Sequence, residues 1–491
     1  MIADLDSGVI LQQIKGLTGL PAAVAVDPAS NQAIIVNSPN GNVSFVSLGP
    51  TLTPPQILEF SPATTLTTNA AVNLILTGVN FTPTSVVRLD QGTAQGGITL
   101  PVLTASGCAV TCRQITAQIP ADTLTSARRY LVDVENVDGS VSNLAELAVI
   151  QAIPVGTTPV GVAVDTDRDS AVVTNSIDNT ATLISLTPVD TNFSPESLGD
   201  VGVVPGSPIP TGTTPEGVAV DPRLGIVVVA NNGSDNATVI DETNSFAAST
   251  PLCAQSAQCL GPTGVAFNTD TSIAVITNTN SNNLFTPGEL AFLGVTRSAL
   301  PPTVAGAPAG QMAVDQDPVA VAVDPKLNFA AVATASSSSS LDIVSIALQS
   351  TVNHVNGLQN PSGVVFDPVN QVFVTVNSLL NNIFFTDPAS VTSTAVNVGI
   401  APTSVDYNFQ TSSLVTVNAG SHTMSVLDYT CPPNTAPTCF NPQVRAVLSL
   451  GGSQTSTLVL GPNAVAIDPK LNLAVLVDPD NNRVLLVPLP H

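Results

Sequence analysis

The chain has 491 residues, enough for about two to four domains. Twelve Lys and Arg against 35 Asp and Glu give a net charge of −23, with only 10% charged residues, 44% hydrophobic residues and no Trp. Three lysines (Lys15, Lys326, Lys470) and nine scattered arginines cannot build the cationic patches that a nucleic-acid backbone or an anionic membrane surface requires, and the apolar runs are only of strand length, so neither nucleic-acid binding nor membrane insertion is expected.

The first residues, MIADLDSGVI, carry no basic region followed by an apolar stretch, so an export signal is absent there and would have been removed if the protein is secreted. Residues 9–15 read as a strand with no repeat of their own. At Pro21 begins a phrase that recurs eight times, P-x-x-V-A-V-D-P followed by an apolar strand ending in Asn, with copies at Pro21, Pro159, Pro215, Pro262, Pro318, Pro361, Pro402 and Pro462. After a first gap of 138 residues the copies are spaced 41 to 60 residues apart.

The long first gap holds residues 54–150, where the pattern switches to short alternating runs such as VNLILTGVNF and RRYLVDVENVDGSVSN, read as a β-sandwich of antiparallel strands. The phrases around Gly78 to Phe81, Ala117 to Pro120 and Val134 to Asn143 resemble the IPT/TIG immunoglobulin-like family. The sandwich is expected to be spliced into the outer turn of the first repeat unit.

Each remaining unit reads strand, turn, strand, turn, strand, and its length with three or four short β runs matches one propeller blade. The column Asp27, Asp165, Asp221, Asn268, Asp324, Asp367, Asn408 and Asp468 follows the first strand, where a side-chain oxygen can accept backbone N–H bonds in the turn. A second column, Asn37, Asn175, Asn231, Asn278, Asn377 and Asn418, closes the next turn, with Thr334 and Asp478 departing in the fifth and eighth copies. With Gly156, Gly212 and Gly399 three residues before their prolines, the phrases resemble the YVTN/NHL-type β-propellers over roughly four fifths of the chain. The resemblance implies fold far more than function, since such propellers carry many chemistries.

The fold class expected is therefore all-β: an eight-bladed β-propeller with an inserted Ig-like β-sandwich, divided as residues 1–53, 54–150 and 151–491. The segments just before each anchor, such as residues 153–156, 351–357 and 394–399, supply outer fourth strands, and the N-terminal strand at residues 9–15 is expected to complete the last blade. The same strand in a neighbouring molecule would instead build a fibre.

All six cysteines fall in close pairs, Cys108 with Cys112, Cys253 with Cys259 and Cys431 with Cys439, which suggests disulfides and an extracellular or cell-surface location; six reduced thiols are the alternative. Uneven spacing without intervening His argues against zinc there. Nucleophile-elbow, phosphate-loop and zincin motifs are missing, and no catalytic residue is assigned. His354, His422 and His491 fall in different units and read as solvent-exposed. Asp165, Asp167 and Asp169, and likewise Asp478, Asp480 and Asn482, have the alternate spacing of first calcium ligands, but Ser170 and Arg483 stand where a loop needs Gly. Loosely held calcium is the only cofactor these turns suggest, with solvated turns as the alternative.

One residue breaks a column on the inner strands: seven copies carry Ala25, Ala163, Ala219, Ala266, Ala322, Val365 and Ala466, and the seventh carries Asp406. That carboxylate either lines the central channel and takes a cation or substrate, or is hydrogen-bonded between blades. These features point to a non-catalytic extracellular binding, adhesion or assembly protein whose partner is a protein or surface polymer. The alternatives are a lactonase- or lyase-like propeller enzyme acting at the channel, and a subunit that polymerises through its N-terminal strand.

Overall fold

The computed structural model describes residues 2–3, 10–12, 20–27, 32–38, 42–47, 54–90, 97–108, 112–186, 201–253, 259–279, 287–299, 302–336, 339–389, 391, 393–429, 441–450 and 464–490. These residues are all-β: many four-stranded antiparallel sheets, three short 3-10 turns and no α-helix. They form two compact units.

The larger unit, essentially residues 148–491, contains seven sheets whose inner strands are Pro159–Asp165, Pro215–Asp221, Pro262–Asn268, Pro318–Asp324, Pro361–Asp367, Pro402–Asn408 and Ala464–Asp468. Each inner strand neighbours the next, and the seventh neighbours the first, so the sheets close a propeller-like ring. Val and Ile fill the middle strands, Ile226–Asn231 being buried throughout, because each sheet is covered on both faces by its neighbours. Burying each such side chain contributes about 1.5–3 kcal/mol.

The asparagine column packs against the glycines of the repeat. Asn418 is fully buried against Gly399, where an added Cβ would stand 2.6 Å from the Asn418 Cγ, and its Nδ2 donates to Ser425 Oγ at 3.0 Å. The Gly and the Asn of the repeat phrase are thus one contact seen at two places in the sequence.

Two expectations need correction. Among the described residues the ring has seven sheets where eight repeats predict eight, and the first repeat forms a separate three-stranded sheet, Leu20–Asp27, Gln32–Ser38 and Asn42–Ser47, in the smaller unit. Its Val24, Val26, Val36, Val43 and Phe45 are exposed, whereas the matching positions of the ring repeats are covered. The N-terminal strand does not complete the last sheet either. Ile10–Gln12 pairs with Ile2–Ala3, and the outer edge of the last sheet is taken by residues 151–154, with Gln151 opposite Leu486 and Pro154 opposite Arg483. The strand entering the first ring sheet therefore first finishes the last one, which leaves that edge paired. As expected, Ser350–Asn356 and Ser393–Asn397 are the outer strands of their own sheets.

The smaller unit also holds a four-stranded sheet (Gln56–Ser61, Val72–Phe81, Val102–Ser106, Cys112–Ile119), and a second sheet pairs Val86–Leu89 with Ile98–Leu100 and Arg128–Glu135. Their inward side chains, Leu74, Leu76, Phe81, Val87, Leu89, Ile115 and Val132 among them, are buried. An added Cβ on Gly78 would lie 2.0 Å from the Gln56 carbonyl oxygen. Asn136 Nδ2 donates to the Asn80 carbonyl at 2.9 Å, and Asn143 bonds both backbone groups of Ile57. The phrase residues are thus those that tie neighbouring segments together.

Candidate functional site

The seven inner strands enclose a cavity of about 790 Å³. At the third position of each repeat phrase, counted from its proline, stands a small residue: Gly161, Gly217, Gly264, Ala320, Gly363, Ser404 and Ala464. The reason is the close approach of neighbouring backbones, since a Cβ on Gly217 would meet the Thr263 carbonyl oxygen at 2.1 Å and one on Gly161 would meet that of Glu216 at 2.4 Å. The wall is consequently backbone with small, apolar and hydroxyl side chains, and the two acids on it stand out.

Asp406 is on this wall, and it is also hydrogen-bonded between neighbouring inner strands. Its Oδ1 accepts from the Tyr407 N–H at 2.8 Å and its Oδ2 from the Ile467 N–H of the next inner strand at 2.7 Å. Burial pushes its carboxyl up to about 6, against these two bonds, which favour the charged form. A second carboxylate, Glu216, also lines the channel, and burial raises it too. Sequence reasoning missed it because it occupies the variable second position of the phrase. Glu216 and Asp406 are offset by three residues, about 10 Å of strand.

The aspartate column makes the turns it was expected to make. Asp324 Oδ1 accepts from the N–H groups of Lys326 at 3.0 Å and Leu327 at 3.1 Å, and Asp165, Asn268, Asp367, Asn408 and Asp468 repeat the pattern. Among the calcium candidates, Asp165 Oδ2 accepts from the Arg168 guanidinium at 2.9 Å, Lys470 Nζ stands 3.6 Å from Asp169, and Asp478 accepts from Asn481 and, at 2.7 Å, from Arg483. Asp167 and Asp480 lie in the same turns.

Cys108 with Cys112 and Cys253 with Cys259 are disulfide-bonded, which agrees with an oxidising environment; Cys431 and Cys439 lie outside the described residues, as does His491. No helix among the described residues is long and apolar enough to cross a membrane. His422 sits in a turn, as expected, with φ of 52°. His354 is exposed, as expected, but its Nδ1 also lies 2.6 Å from the Asp342 carboxylate on the neighbouring strand, a pairing with no sequence motif to reveal it.

No family model matches the chain, and no curated protein matches it. Among solved structures it is similar to Kuenenia stuttgartiensis hydrazine synthase, at 14% identity with a TM-score of 0.51, over 68% of this chain and 96% of that one. A structural genomics protein of unknown function from Bacteroides thetaiotaomicron aligns at 10% identity over 89% of this chain and 98% of that one, with a TM-score of 0.39. At such identities the hydrazine synthase likeness bears on the fold alone.

Proposed function

We propose that the chain is a non-catalytic binding protein working outside the reducing cytosol, whose ring takes a positively charged group of a protein or surface-polymer partner into its channel. The observation that carries this reading is the pair of carboxylates, Glu216 and Asp406, on a wall whose other side chains are apolar or hydroxyl-bearing. A cationic group entering there replaces the lost hydration of the acid it meets, and the net charge of −23 draws cations toward the molecule. Repeats of the YVTN/NHL type and an IPT/TIG immunoglobulin-like module at residues 54–150 are the combination this reading assigns, the Gly78, Asn136 and Asn143 contacts supporting the second. The experiment is an array of short peptides with Arg, Lys or a neutral residue at the centre, probed with the full chain. Retention of the cationic members alone supports the reading, and equal retention of neutral ones contradicts it.

A second reading rests on Asp406 itself. A carboxyl brought to about 6 is suited to proton transfer near neutrality, as a lactonase- or lyase-like enzyme would use it. Turnover of simple lactones that is lost in Asp406→Asn would favour that reading over pure binding.

A further inference from the structure

The fifth repeat departs from the others at two places that belong together. In the second, third and seventh repeats the column Asn sends its Nδ2 to a hydroxyl on the third strand: Thr182, Thr238 and Ser425. In the fifth repeat the Asn is Thr334, which bonds Ser340 instead, and the position of those hydroxyls is occupied by Asp342. Asp342 is 2% exposed, in the middle of Ser340–Ser345, where an acid is costly without a partner.

Its surroundings supply one. His354 is its register partner on Ser350–Asn356, with Nδ1 2.6 Å from Asp342 Oδ1, and Asp315, just beyond Pro302–Val314, brings Oδ2 to 3.7 Å from the same Nδ1. One ligand atom from each of Asp315, Asp342 and His354 lies within 4.8 Å of the other two. The three come from separate segments and converge beside a cavity of about 380 Å³ that they line together with Thr351.

Outer partners orient each group. The Asn356 Oδ1 lies 3.0 Å from His354 Nε2 and holds the ring with its Nδ1 facing the two acids. Ser340 Oγ donates to Asp315 Oδ2 at 3.0 Å, and the Asp315 N–H donates to Asp342 Oδ2 at 3.2 Å.

We propose that Asp315, Asp342 and His354 bind a divalent transition-metal ion, Zn²⁺ foremost. One imidazole nitrogen and two carboxylate oxygens suit Zn²⁺, and also Mn²⁺ or Fe²⁺, better than Ca²⁺, which prefers an all-oxygen shell. The ion takes the place of the proton between His354 and Asp342, and its remaining positions open into the cavity for water or a partner's ligand atom. Binding therefore releases protons and weakens as the pH falls.

The test is calorimetric titration of the metal-free full chain with Zn²⁺, together with the visible spectrum of the Co²⁺ complex, for wild type, His354→Gln, Asp342→Asn and His422→Gln. The expected result is one Zn²⁺ per chain, at least tenfold weaker in His354→Gln and Asp342→Asn, unchanged in His422→Gln, with a Co²⁺ spectrum that His354→Gln alters. Since Asp342 is buried and its variant can misfold, the half-exposed His354 variant decides the matter, its far-ultraviolet dichroism serving as the fold control. Wild-type-like Zn²⁺ affinity in a folded His354→Gln chain, or no saturable binding by wild type, overturns the proposal.

Discussion

Asp342 and His354 stand opposite each other on adjacent antiparallel strands, the carboxylate oxygen 2.6 Å from the imidazole Nδ1. Burial raises the Asp342 carboxyl. It also works against the His354 ring, but the hydrogen bond and charge of Asp342 prevail, so the histidine is raised as well. Histidine NMR should accordingly show His354 titrating above the usual range in the metal-free chain, and Asp342→Asn should bring it down. An unshifted His354 contradicts the pairing.

The tight axis makes its small residues sensitive. Gly217→Ala sets a methyl 2.1 Å from the Thr263 carbonyl oxygen, a backbone atom that cannot swing away. The variant should lose about 1–3 kcal/mol of stability, read as a lower midpoint in urea. Gly139→Ala, a position with open space although its φ is positive, should cost less.

The turn aspartates accept backbone N–H bonds. Asp324→Ala removes the buried acceptor of two turn N–H bonds, each worth about 0.5–1.5 kcal/mol, and should cost about 1–3 kcal/mol. Asp324→Asn should cost much less, because Asn268 and Asn408 already fill that place in other repeats. Equal losses in denaturant unfolding would show that charge, not hydrogen bonding, is needed there.

Glu242 offers a pH test. Burial first, then its hydrogen bond and charge contact with Asp165, push its carboxyl up to about 9. A carboxyl raised in the folded state contributes stability below its unfolded value, about 4.3, and that contribution is lost as the pH rises through the folded value. Melting temperature should therefore fall from pH 5 to 9 more steeply in wild type than in Glu242→Gln. Parallel curves would remove Glu242 from the account.

Closure by residues 151–154 makes the N-terminus dispensable for the ring. Deleting residues 1–16 should leave melting and the light-scattering mass of the chain unchanged. Ring destabilisation, or the loss of an assembly that the full chain forms, would restore the N-terminal strand to a closing or polymerising role.

Much of this fold is written in period and turn chemistry. The Asp324 turn and the Gly399–Asn418 contact depend on residues close in sequence or fixed by the repeat, so their columns stand out in the amino-acid sequence itself. Asp406 stands out there too, as a break in one such column. Ring membership does not, because whether the first repeat or residues 151–154 meet the last sheet depends on contacts across hundreds of residues, which no local pattern encodes. Glu216 and the Asp342–His354 pair are hidden for the same reason: each occupies a variable position, and only the ring and the strand register give it neighbours.

The most direct measurement is calorimetric titration of the full chain with spermidine at pH 5 and pH 7.5, beside the double variant Glu216→Gln, Asp406→Asn. A cation binds the charged acids, so lowering the pH through the Asp406 value of about 6 must weaken it. The channel account predicts saturable binding at pH 7.5, several-fold weaker at pH 5, and at least tenfold weaker in the double variant at pH 7.5. Binding that is indifferent to both the pH and the two substitutions would place the cation elsewhere on the acidic surface and contradict the account.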